Sequence, residues 1–141
     1  MDASETKSDK HLQFIVVTPE KALLDEPADF VALPMIDGEL GVLPGRAPLI
    51  GQLGFGELRM IKGSQTRRFF ADGGFAQIRD NVVTVLTARA IPAEEIKLDD
   101  ARNALQAAQS AAAAPEAQEE KLKAQQRARA QLRMAQKTAE A

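Results

Sequence analysis

The chain has 141 residues, a net charge of −2 and an apolar fraction of 45%, enough for one domain with an appendage and too evenly charged for a strong nucleic-acid field. It contains no cysteine, which excludes disulfides, thiolate nucleophiles and cysteine-based zinc or iron–sulfur centres. No apolar run approaches the roughly 18–20 residues that cross a bilayer, so any membrane association is expected through a partner.

Residues 1–11 are mostly charged or small and lack the apolar centre of a signal peptide. They are predicted to form a disordered tail. A β-rich stretch follows over residues 12–92. Residues 12–18 (LQFIVVT) are rich in β-branched side chains and stop at Pro19, and residues 29–34 give a second strand. Asp37-Gly38 between apolar runs predicts a tight hairpin. Residues 57–62 alternate polar with apolar, turn at Gly63-Ser64 and return over 66–71. Residues 75–79 then meet Asp80-Asn81, and 82–87 (VVTVLT) form the clearest strand. Turn signals at this spacing predict a sandwich or flattened barrel.

Composition changes sharply near Ile91-Pro92. All nine glycines lie between Gly38 and Gly74, whereas residues 93–141 hold no glycine or phenylalanine and sixteen alanines. Alanine is the strongest helix former. Leu98, Ala101, Leu105, Ala108 and Ala112 line one helical face, and Ala124, Ala128, Leu132, Ala135 and Ala139 line another after a break at Pro115. An antiparallel helical hairpin over residues 93–141 is predicted. An alanine seam buries little apolar area, so this hairpin is expected either to lean on its own sandwich or to detach and rearrange.

Catalytic chemistry is hard to find. His11, the single histidine, lies in the tail, far from the rigid setting that a nucleophile's base requires. Glu94-Glu95 and Asp99-Asp100 are adjacent pairs whose side chains diverge by about 100° on a helix and suit its N-terminal dipole. The glycine-rich segment 38–45 (GELGVLPG) lacks the lysine and hydroxyl of a phosphate-binding loop, so its glycines, like Gly54 and Gly56, are assigned to turns. No cofactor or metal is expected. On the second helix Glu116, Glu119 and Glu120 precede Lys121, Lys123, Arg127, Arg129, Arg133 and Lys137. Arg129, Arg133 and Lys137 share a face at four-residue spacing. Such a series is either a solvated face matched to the macrodipole or an arm for an acidic protein surface. Nucleic acid fits less well, because this half has no aromatic residue for stacking.

Residues 38–50, GELGVLPGRAPLI, resemble the hallmark segment of the epsilon subunits of F-type ATP synthases. The order of the remaining pieces agrees with that family: Val17-Thr18-Pro19-Glu20 before this segment, then Gly73-Gly74-Phe75, residues 82–86 and LDDAR at 98–102 after it. The resemblance implies an N-terminal β-sandwich of about ten strands followed by a two-helix domain. It further implies a non-catalytic rotor subunit on the cytoplasmic face of a bacterial inner membrane. The partners implied are the gamma subunit, the c-ring and the catalytic beta subunit, with Gly38, Glu39, Leu40, Gly41, Pro44, Gly45 and Arg46 as docking residues and Arg129, Arg133 and Lys137 facing beta during inhibition. Some members bind ATP between the helices through the pattern Ile/Leu-Asp-x-x-Arg-Ala. Leu98, Asp99 and Arg102 match it and Asn103 departs from it, which makes nucleotide sensing the rival function.

Overall fold

The computed structural model describes residues 11–110 and 117–140. Its strands are β1 (Leu12–Val17), β2 (Ala22–Ala28), β3 (Phe30–Met35), β4 (Gly38–Val42), β5 (Leu49–Lys62), β6 (Gln65–Arg79), β7 (Val82–Leu86) and β8 (Ala90–Pro92). A 3-10 turn (Ala93–Glu95) leads to α1 (Leu98–Ser110) and α2 (Gln118–Glu140). The chain divides into two compact units between Ala90 and Ile91, beside the change in composition.

Period-two alternation builds the first unit. Leu12, Phe14 and Val16 of β1 are buried while Gln13, Ile15 and Val17 are half-exposed, and Val83 and Val85 of β7 are buried likewise. These two strands pair in parallel, Gln13 against Val82 through Val17 against Leu86. The strand order is β2-β1-β7-β6-β5-β3-β4, with β8 also on β6. β2 and β6 are not neighbours in that order, yet Arg67 Nη1 lies 2.8 Å from Glu26 Oε2. β2 also meets β5, from which it is separated in the order by three strands. The sheet therefore folds over on itself. Both layers close on one core that includes Leu12, Phe14, Val31, Leu53, Ile78 and Val83.

Eight strands appear among the described residues, rather than about ten, because β5 and β6 run for 14 and 15 residues. Each serves both layers. In β5 the inward phase switches from Leu53 to Leu58 and Met60, an odd step that requires a local bend. Gly54 and Gly56 lie within that bend and not in turns, which corrects the sequence-based assignment. The matching bend in β6 is at Gly73-Gly74. There Gly74 has φ +113, and a Cβ on it would overlap the Leu86 carbonyl oxygen of β7.

Two further differences have plain causes. β2 (ALLDEPA) lacks alternation and contains Pro27, so no strand is predicted there. It is an edge strand, where a missing amide donor is tolerated. In the β3–β4 hairpin Met35 pairs with Gly38, so the turn residues are Ile36-Asp37 and Gly38 opens β4. Asp80 and Asn81, at φ 52 and 63, form the type I′ turn that suits a two-residue hairpin.

In the second unit α1 and α2 pack as an antiparallel pair, and Gln125 Nε2 donates to the Ala108 carbonyl at 3.4 Å. Ala101, Ala128 and Ala135 are buried along the predicted seam, with Leu98, Leu105 and Leu132 half-buried. Ala112, Pro115 and Glu116 lie outside the described residues, as do residues 1–10 of the predicted tail. α2 also buries Ala130 and Met134, one turn apart and about 200° round the helix from Ala128. The single-stripe reading missed this second line. α2 additionally meets the 3-10 turn, whose Ala93 is buried.

Candidate partner-docking surface

The hallmark segment forms one corner of the sandwich. Glu39 and Gly41 share a face of β4. Gly41 lies opposite Ala32 of β3, and Ala32 lies opposite Arg59 of β5. The Phe30 ring covers this row. A Cβ at Gly41 would stand 3.1 Å from Phe30 Cε1, tighter than ordinary packing allows, so the ring's approach accounts for the glycine. The Arg59 guanidinium carbon sits 5.9 Å from the same ring's centroid. Its Nη1 lies 3.5 Å from Glu39 Oε2 and 3.6 Å from Glu57 Oε2. Glu57 also holds Arg68 at 3.0 Å. Arg59 and Arg68 are direct cross-strand partners, so Glu57 offsets a repulsion between like charges.

The turn that follows is tied to the opposite strands. The Arg46 amide donates to the Leu43 carbonyl at 3.3 Å, and the Gly45 amide donates to Asn81 Oδ1 at 2.7 Å. The Asn81 carbonyl in turn accepts from the Gln13 amide at 2.8 Å. Residues 43–46 are thus anchored to the β6–β7 turn and to β1. Between the β3–β4 hairpin and the start of β5 lies an open groove of about 490 Å³, lined in part by Glu39, Leu40, Arg46 and Ile50.

Large apolar side chains surround this corner. Ile36 is 65% exposed, Leu43 59% and Ile50 72%. Ile50 pairs with Gln77, Gln52 with Phe75, and Phe75 with Leu86, which puts Ile50, Phe75 and Leu86 on one outward face. Phe75 and Leu86 are both more than half exposed. Exposed apolar residues grouped beside charged ones make this corner the candidate protein-docking face.

The structure brings Gly38, Glu39, Leu40, Gly41, Pro44, Gly45 and Arg46 together at this corner. Arg129, Arg133 and Lys137 are exposed on α2, in the other unit, at their four-residue spacing. Leu98 is half-buried in the first turn of α1, and Asp99 and Arg102 are exposed there. Among the described residues, no group of three or more histidines or carboxylates could hold a metal, and no helix is long and apolar enough to cross a membrane. Sequence reasoning missed Arg59, Asn81, Ile50, Phe75 and Leu86. Ile50, Phe75 and Leu86 lie in the segments that carry the family resemblance, and Asn81 is half of a turn pair whose tether to Gly45 spans 36 residues.

Residues 11–93 match the family model described as "ATP synthase, Delta/Epsilon chain, beta-sandwich domain". The ATP synthase epsilon chain of Rhodopirellula baltica is 53% identical over 123 residues, covering 86% of this chain and 96% of that one. The chain belongs to the ATP synthase epsilon family. The epsilon chain of Nitratidesulfovibrio vulgaris (strain DP4) is 43% identical over 96 residues, 68% of this chain and 72% of its own. A chain in the cryo-EM structure of the Euglena gracilis mitochondrial ATP synthase, OSCP/F1/c-ring, superposes with a TM-score of 0.79 at 24% identity. That match covers 94% of this chain and 82% of the other, which shows a shared fold. The fold predicted from sequence, a β-sandwich followed by two helices, is thus that of the epsilon family.

Proposed function

We propose that this epsilon chain is a non-catalytic rotor element that couples proton-driven rotation to ATP synthesis. The carrying observation is the reach of the Rhodopirellula baltica alignment. Its 123 residues cannot be contained within the sandwich alone, so the likeness extends into the hairpin. In this reading the outward face of Ile50, Phe75 and Leu86 docks on the gamma subunit, and the corner around Glu39 and Arg46 rests against the c-ring. Both sit on strands bonded into one tightly packed core, as a part that transmits torque requires. The enzyme would be held at the cytoplasmic face of a bacterial inner membrane through those partners. The basic face of Arg129, Arg133 and Lys137 suits an acidic segment of beta, and that contact would restrain ATP hydrolysis.

Membrane vesicles bearing the synthase but stripped of this chain provide the test. Adding back the parental chain should restore ATP-driven proton pumping. Ile36→Asp and Ile50→Asp should each raise the concentration needed about tenfold, the effect of losing an apolar anchor. Their thermal midpoints should stay near the parental value, because both side chains are exposed. Full restoration by both variants at the parental concentration would remove the corner from the docking surface.

A further inference from the structure

Arg59 is set back from the docking corner yet contacts its carboxylate. Its side chain is 27% exposed, against 57% for Glu39, so the cation is largely covered while the anion stays accessible. Three groups hold that cation: the Phe30 ring, the Glu57 carboxylate and the Glu39 carboxylate itself. Glu57 is in turn fixed by Arg68, and the side chains of both are only 14% and 17% exposed.

From this we infer that Arg59 is a positioning residue: it holds the Glu39 carboxylate on edge strand β4, so that the corner presents an aligned anionic acceptor to a cationic loop of the c-ring. The inference rests on the reading of this corner as a docking surface. A glutamate on an edge strand otherwise samples many rotamers, and immobilising it at the moment of docking opposes binding. Holding it in advance removes that cost. The paired charges Glu39, Arg59, Glu57 and Arg68 sum to zero, so the network offers direction to a partner more than it offers net field. It also relates the spacing of Glu39 and Gly41 to a single cause. Gly41 admits the Phe30 ring, the ring supports Arg59, and Arg59 holds the carboxylate two residues away.

The test titrates full-length chains into the stripped vesicles and reads the concentration that half-restores proton pumping. Arg59→Met keeps an apolar stem over Phe30 and removes the charge. It should weaken binding about three- to tenfold with little change in thermal midpoint. Arg59→Lys should fall between Arg59→Met and the parent. Glu39→Gln should weaken binding at least as much as Arg59→Met, and the double variant Arg59→Met/Glu39→Gln should be no weaker than Glu39→Gln alone. Parental binding by Arg59→Met beside weakened binding by Glu39→Gln would overturn the role of Arg59 and leave the docking corner standing. Multiplying single effects in the double variant would do the same. Parental binding by Glu39→Gln would instead overturn Glu39 as a docking group, and the role of Arg59 with it.

Discussion

Gly74→Ala is expected to destabilise the sandwich by upwards of about 3 kcal/mol, enough to unfold a marginally stable domain. The backbone at Gly74 has φ +113, a conformation that costs an L side chain about 1–3 kcal/mol. A Cβ there also overlaps the Leu86 carbonyl oxygen, and backbone cannot swing aside as the end of a side chain can. Relief requires β6 and β7 to part where Phe75 pairs with Leu86, beside buried Val85 and Ala76. Gly54→Ala is the internal control. Its Cβ would find neighbours no closer than 3.7 Å, so its cost should stay near 1 kcal/mol. Urea unfolding of both variants checks this, and equal midpoints would contradict the assignment of the β6 bend to Gly74.

Truncation after Pro92 should raise ATP hydrolysis by the assembled enzyme at least about fivefold, the lower end of ordinary coupling between distant sites. It should leave association with gamma near the parental level. The buried core cluster is drawn from strands β1 to β7, so the deletion removes none of it and the sandwich should remain folded. What is lost is a hairpin whose seam is largely alanine, Ala101, Ala128 and Ala135, and which contributes little apolar area per residue. Substituting Arg129, Arg133 and Lys137 together by glutamine should reproduce part of the rise without the deletion. Hydrolysis at the parental rate in both variants would remove the inhibitory role and leave coupling untouched.

Much of the fold was legible where one residue pattern met one environment. β1 and β7 alternate because one face is core and the other is not, and the two helices follow from alanine-rich periodicity. β5 was legible only over residues 57–62, because Gly54 and Gly56 carry the signal of turns while serving a bend inside a strand. β2 was hidden by Pro27, which only an edge position tolerates. The second buried line of α2, Ala130 and Met134, was masked because a helix with two buried faces shows no single stripe. The corner proposed for docking was singled out through resemblance to a family and not through its chemistry. Its supports lie far apart in the chain: Phe30, Arg59 and Asn81 reach Gly41, Glu39 and Gly45 only once three strands and a turn are assembled.

The proposal that this corner faces the rotor is open to one direct measurement, since the chain has no cysteine and one introduced at the exposed position of Leu43 is unique. In the intact synthase, a short bifunctional reagent attached to Leu43→Cys should join this chain to gamma or to the c-ring. Cross-links confined to the stationary subunits would contradict a corner that turns with the shaft.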